Sequence, residues 1–329
     1  MEIRKSSSLA RLFKGPQHPI NEDYAELKFI RAACAGDVGA ADTLFFEEKL
    51  FGGKKSAVDA PHGRFEGLGG IREFIATWLK TFHADSAEVI PVIQTRANGR
   101  SVSEVQVDFV VDGMIEQVPM FVVGDLRTQD TLDEVRIYCH CSYVPGIQAY
   151  RRPMFTPAHL EMGDPQILTG AVREYYEALH HVPAVDVDRI IGCMEEGCIF
   201  GGYGPDTPEA KPVSTLEEDR KVYEMMALYI PRCVGMRYET LIDDGRTGII
   251  EWVHIVSDAG YEERGRVAMS GIAAYERGKS GKLCAIRISD YAGLERTIDW
   301  SKLDTTLEEA RAVNHVHEFP AGVGRKPQS

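Results

Sequence analysis

Thiols and imidazoles crowd together at Cys139-His140-Cys141 and at His315-Val316-His317, and acidic pairs recur at Glu47-Glu48 and Glu195-Glu196. Clustered Cys and His can ligate a metal or pair as nucleophile and base, and carboxylates can work as general acid and base. Spacing weakens the first reading. Adjacent strand residues point to opposite faces, so Cys139 and His140 do not pair, and two ligands do not complete a tetrahedral site. The thiols read as small apolar groups, and the two tail histidines have no third ligand near them in the sequence. The acidic pairs stand out more, because each follows a helix-like run and precedes the same Phe-Gly-Gly, at Phe51 to Gly53 and at Phe200 to Gly202. These glycines do not form the strand-to-helix fingerprint of a phosphate-binding loop. No metal and no organic cofactor is expected.

The elements that would carry these residues come in two sets. At 329 residues the chain suits two domains of average size. The net charge of -13 repels a nucleic-acid backbone unless a basic stripe overrides it. Arg4, Lys5, Arg11 and Lys14 read instead as a solvated arm, without the apolar core of a signal peptide. Seven cysteines without framework spacing suit a reducing cytosol. No apolar run has the length of a membrane span. A cytoplasmic protein that contacts neither nucleic acid nor membrane is the expectation.

From Asn21 to Phe82 apolar residues recur at helical spacing, and from Glu88 to Tyr143 they alternate as in strands. The order repeats. "AVREYYEALHH", "VDRIIGCMEEG" and "TLEEDRKVYEMMALYI" read as helices, followed by strands from "GMRYETLIDD" to "KLCAIRISDY". The closing strands share a core, "EVRIY" at Glu134 and "AIRIS" at Ala285. We therefore expect an α+β protein of two tandem cone-shaped domains, each a curved antiparallel sheet with helices on its concave face. The divisions are an arm over 1–20, a first domain over 21–147, a linker over 148–167, a second domain over 168–303 and a tail over 304–329. The space between helices and sheet is where a site belongs.

At "FIRAACAGDVGAADTLFFEEKLFGG" and "GGIREFIATWLK" the chain resembles the SnoaL-like and ketosteroid-isomerase branch of the nuclear transport factor 2-like superfamily. The resemblance covers 21–145 and, more loosely, 168–300. It implies the cone fold and leaves the reaction open, because that fold hosts isomerases, dehydratases, cyclases, epoxide hydrolases and binders. The isomerases' helix tyrosine falls on Phe29 in the first half and Tyr175 in the second, and their proton-moving aspartate falls on Gly53 and Gly202. Their second oxyanion acid falls near Val122 and Ala273. An isomerase mechanism of that kind is therefore unsupported.

On the family's register the first cavity is apolar, with Val105, Val107, Phe109, Val135, Ile137, Cys139 and Cys141 inward. The second is polar. It turns Asp290 inward with Ile286 and Ile288, Tyr275 with Met269, and Glu251 with Val253; a slip of one residue would bring in His254 instead of Glu251. Asp290 is assigned as acid or base, Tyr175 as hydrogen-bond donor and His180 as second proton carrier. Tyr275, Glu251, His254, Met269, Phe200 and Tyr203 are assigned to substrate binding. Plainer readings stand beside these: Asp290 as a surface residue ending a strand, Tyr175 as core filler, His180 and His181 as helix-end cations. The implied function is a cofactor-independent lyase or isomerase on a small, largely apolar oxygenated substrate such as an aromatic, polyketide-like or steroid-like compound. A non-catalytic binding or assembly module and a hydrolase with an activated water are the alternatives. The resemblance also implies pairing through the convex sheet faces, here between the two halves as a single-chain pseudo-dimer, with homo-oligomers left open.

Overall fold

In the computed structural model the described residues are 3–5, 18–45, 56–140, 143–144, 164–181, 185–202, 215–229, 233–257, 266–289 and 317–318. They form two compact units, one within Pro16–Arg152 together with a short N-terminal strand, the other within Pro153–Gly202 and Pro212–Ser329. The protein is mixed α+β with two sheets.

The first unit opens with α1 (Ala25–Ala35), which buries Leu27, Phe29, Ile30, Ala33 and Cys34. Gly36 ends it in the left-handed region at φ 65°, a conformation that costs glycine little. Asp37 then caps α2 (Val38–Asp42) by accepting from the Ala40 N–H at 2.9 Å. The "AGD" break is thus a stop signal followed by a start signal. A hairpin of β2 (Ala57–Ala60) and β3 (Gly63–Glu66) comes next, then α3 (Gly67–Thr81). This hairpin corrects the all-helical reading of Asn21 to Phe82. Its strands are only four residues each, too short for alternation to be read against the helical text around them.

A meander follows: β4 (Ser86–Ala97), β5 (Arg100–Val111), β6 (Met114–Leu126) and β7 (Leu132–Cys139). Asn98-Gly99 and Asp112-Gly113 both have positive φ at each residue, which the two-residue hairpin turn demands. The sheet order is β3-β2-β7-β6-β5-β4, with β2 parallel to β7 and with β1 (Ile3–Lys5) alongside β6. Val105, Val107, Phe109, Val135, Ile137 and Cys139 lie in the core with the helices, as alternation requires. Cys141 lies outside the described residues.

The second unit contains α4 (Gly170–Leu179), α5 (Val187–Gly192), β8 (Met194–Gly202) and α6 (Leu216–Tyr229). Its meander is β9 (Cys233–Asp243), β10 (Thr247–Ser257), β11 (Arg266–Arg277) and β12 (Leu283–Ser289), with β13 (His317–Glu318) on β9. The order is β13-β9-β10-β11-β12-β8, again with the early strand β8 parallel to the last meander strand. Asp186 caps α5 as Asp37 caps α2. One correction concerns the acidic pair. Glu195 and Glu196 lie on β8, not at a helix end, because α5 stops at Gly192 and the following backbone pairs with β12.

The shared "VRI" and "IRI" have a shared job. Arg136 on β7 bonds Asp125 on β6, which also accepts from Arg100 at 3.1 Å. Arg287 on β12 bonds Glu276 on β11 at 2.7 Å, and Glu276 also accepts from Arg246 at 3.2 Å. All four central side chains are buried on the face opposite the apolar core. Removing one partner of such a pair strands the other charge, so Arg287→Ala should destabilise the second unit by about 3–5 kcal/mol. Arg287→Met combined with Glu276→Leu should cost much less. Urea unfolding of both variants checks the difference, and equal losses would contradict the pair's role.

Candidate active site

The core of the second unit holds hydroxyls where that of the first holds hydrocarbon. Helix α4 buries Val172, Tyr175 and Ala178 at helical spacing. The Tyr175 hydroxyl bonds that of Tyr223 on α6 at 2.8 Å, and its ring lies 4.7 Å from that of Tyr275 on β11. Phe200 on β8 lies 5.3 Å from Tyr223. Tyr175, Tyr275 and Phe200 are therefore brought together.

Helix α6 adds the carboxyl. Thr215 accepts from the Glu218 N–H at 3.2 Å while its hydroxyl donates to the Glu218 carboxylate at 2.9 Å, a side-chain N-cap that sets where the helix starts. That start leaves Glu217 and Glu218 in water and turns Asp219 inward, one helical turn before Tyr223. Asp219 is fully buried, and neither of its carboxylate oxygens has a hydrogen-bond partner among the described residues. Burial first, then the charges of Glu218 and Glu196, push its carboxyl up to about 7. Burial likewise holds the Tyr223 phenol well above its ordinary range, with Asp219 adding to the effect. The contrast with Glu26 on α1 is instructive. Burial raises that carboxyl too, yet Ser101 and Ser103 donate to it, the latter at 2.8 Å.

His180 caps the end of α4 in a second polar group. Its Nδ1 lies 2.7 Å from the Tyr176 carbonyl, which can only accept, so Nδ1 carries the proton and Nε2 accepts from the Tyr238 hydroxyl. Burial lowers the His180 pKa against the pull of that carbonyl and keeps the ring neutral. Tyr176 stacks on it at 4.4 Å.

Other assignments fare differently. Ile250 and Trp252 face the core, so Glu251 between them is buried on the opposite face and does not line the site. On the backbone, position 254 pairs with position 269 across the sheet. The side chains of His254 and Met269, and the whole of Tyr203 and Asp290, lie outside the described residues. Sequence reasoning missed Asp219, Tyr223 and Tyr238. A signal existed for the first two: Leu216, Asp219 and Tyr223 fall at i, i+3 and i+7, a single helix stripe.

Among the described residues no three metal-ligand side chains converge, and no helix is long and apolar enough to cross a membrane. No family model and no curated protein matches the chain. Solved structures do. The chain is similar to a hypothetical protein with a ketosteroid isomerase-like fold from Catenulispora acidiphila, at 17% identity over 36% of this chain and 85% of that one, TM-score 0.30. It is similar to a putative polyketide cyclase from Sinorhizobium meliloti, at 14% over 34% and 90%, TM-score 0.27. It is similar also to SalBIII, an epoxide hydrolase/cyclase-like enzyme of pyran ring formation in salinomycin, at 16% over 36% and 87%, TM-score 0.29. Likeness at this level says nothing of activity.

A buried acid whose folded pKa lies above its unfolded value of 3.8 leaves stability intact below that value and removes it as pH rises toward and through about 7. Asp219→Asn should therefore gain stability over the native chain by about 1.4 kcal/mol per pH unit across that window. Urea midpoints at several pH values spanning the window test this; a gap that does not widen with pH would contradict a buried, unpaired carboxyl.

Proposed function

We propose that the second unit catalyses proton transfer as a cofactor-independent lyase or isomerase, by dehydration or double-bond migration, on a small, largely apolar oxygenated molecule. The observation that carries this is Asp219. A fully buried carboxyl without a hydrogen-bond partner among the described residues is costly to keep. A pKa near neutrality suits a group that both takes and returns a proton. The substrate supplies the missing partner. As the carboxylate, Asp219 removes a proton from the carbon next to a carbonyl, and charge moves to the carbonyl oxygen. With Tyr175 as the donor in the Tyr175–Tyr223 pair, the Tyr223 hydroxyl donates to that oxygen. Asp219 then returns its proton to a different carbon, or to a departing hydroxyl that leaves as water. Neutral His180, bonded to Tyr238 of that core, is a second proton carrier.

Two further readings belong to this proposal. The units are tandem SnoaL-like domains over 21–147 and 168–303, supported by their matching strand orders and their matching arginine-acid pairs. The first is a scaffold or binding domain.

Deuterium exchange from solvent into a panel of aryl and cyclic β-hydroxy ketones and enones tests the chemistry. Exchange should rise with pH through about 7, since the ionised Asp219 is the base. Asp219→Asn should lower it by about 10² to 10⁴. Full exchange in that variant would sink the assignment, and loss confined to Asp290→Asn would move the base to Asp290. Ketone binding without exchange in the native chain would make the unit a binder.

A further inference from the structure

We propose that the first unit holds a separate binding site, built by His62 and Trp78, for a small uncharged hydroxylated aromatic molecule. Pro61 and His62 form the two-residue turn of the β2–β3 hairpin, since Ala60 pairs with Gly63. The turn lays the imidazole on α3. Its ring is 5.2 Å from Phe65, 5.5 Å from Phe74 and stacked on it, and 5.8 Å from Trp78. Phe74 and Trp78 are one helical turn apart, so a single face of α3 presents both.

Three polar atoms in this aromatic group have no hydrogen-bond partner among the described residues. Both ring nitrogens of His62 and the indole N–H of Trp78 are buried without a hydrogen bond. The Cys34 thiol neighbours the indole without meeting hydrogen-bond geometry, and burial pushes it up to about 12, so it remains a neutral thiol. A histidine serving only to pack would be replaced to advantage by phenylalanine, which has no nitrogens to desolvate. Three stranded polar atoms within one cluster instead describe the complement of a ligand.

The chemistry of that ligand follows from the unmet bonds. Burial lowers the His62 pKa to about 4, so the ring is neutral and offers one N–H and one bare nitrogen. With Trp78 the cluster has two donors and one acceptor to satisfy. A carbonyl leaves the bare nitrogen unmet. A hydroxyl accepts from a donor and gives its own proton to that nitrogen, and an aromatic body continues the stacking of Phe65 and Phe74. An anion is disfavoured, because the nearby Arg64 guanidinium is already bonded to Glu134 and Glu66.

Phenol and toluene, nearly equal in shape, are the probes. They are titrated into the full chain while the Trp78 indole N–H signal, assigned through Trp78→Phe, is followed by NMR. Phenol should shift that signal saturably and bind about ten-fold more tightly than toluene, as one hydrogen bond would give. His62→Phe should remove the preference. Asp219→Asn should leave the Trp78 response to phenol unchanged, which separates this site from the acid-base chemistry of the second unit. Equal affinity for the two probes, or a Trp78 signal that does not move, would overturn the proposal and leave the nitrogens to buried water. Should His62→Phe fail to fold, the phenol-to-toluene ratio at Trp78 of the native chain still decides.

Discussion

Each sheet is pinned at its centre by a buried arginine that reaches diagonally to an acid on the strand before it. Arg136 lies opposite Val123 and bonds Asp125, two residues further along. Arg287 lies opposite Ala274 and bonds Glu276, at the same offset. A strand slipped by one residue would carry its arginine to the apolar face and leave the acid stranded, so the pair penalises every register but one. That register decides which residues of β11 and β12 meet the helices. Ala273, Tyr275 and Ile286 do, and the position of Tyr275 against Tyr175 follows.

On this common frame the two cores have diverged in chemistry. At the centre of the first, Phe29, Phe74, Trp78, Phe82 and Phe109 pack at centroid distances from 4.1 to 6.3 Å. Its buried Glu26 is satisfied by two serines. In the second, tyrosines take the central places, and the buried acid on α6 has no hydrogen-bond partner among the described residues. A satisfied carboxyl adds specificity to packing, whereas an unsatisfied one stores free energy that a ligand can recover. The proposed acid-base role of the second unit rests on this difference.

How much of this could be read from the chain alone depends on how local each cause is. Helix stops, caps and hairpin turns are set within a few residues, so the "AGD" break and the turn at Asp112-Gly113 were legible. Strand parity was legible for β5, β7, β11 and β12, where alternation is long. It failed at β10, where the family's register turned Glu251 inward, whereas Ile250 and Trp252 face the core and Glu251 is buried on the far face. It failed also at the β2–β3 hairpin and at β8, where strands lie next to helical text and pair with partners distant in sequence.

By itself the sequence determined two α+β halves, each with helices followed by a meander, and placed Tyr175 and Tyr275 in the second core. The halves follow from periodicity, which is a property of neighbours along the chain, and the two tyrosines from the register that the resemblance implies. The tertiary structure decided which polar groups are left without partners. Asp219 looks like the third member of an exposed acidic run, and His62 like a turn residue. Only the packing of α6 and of the β2–β3 hairpin strips both of water, and whether a buried group finds a partner depends on residues brought together from far apart in the chain.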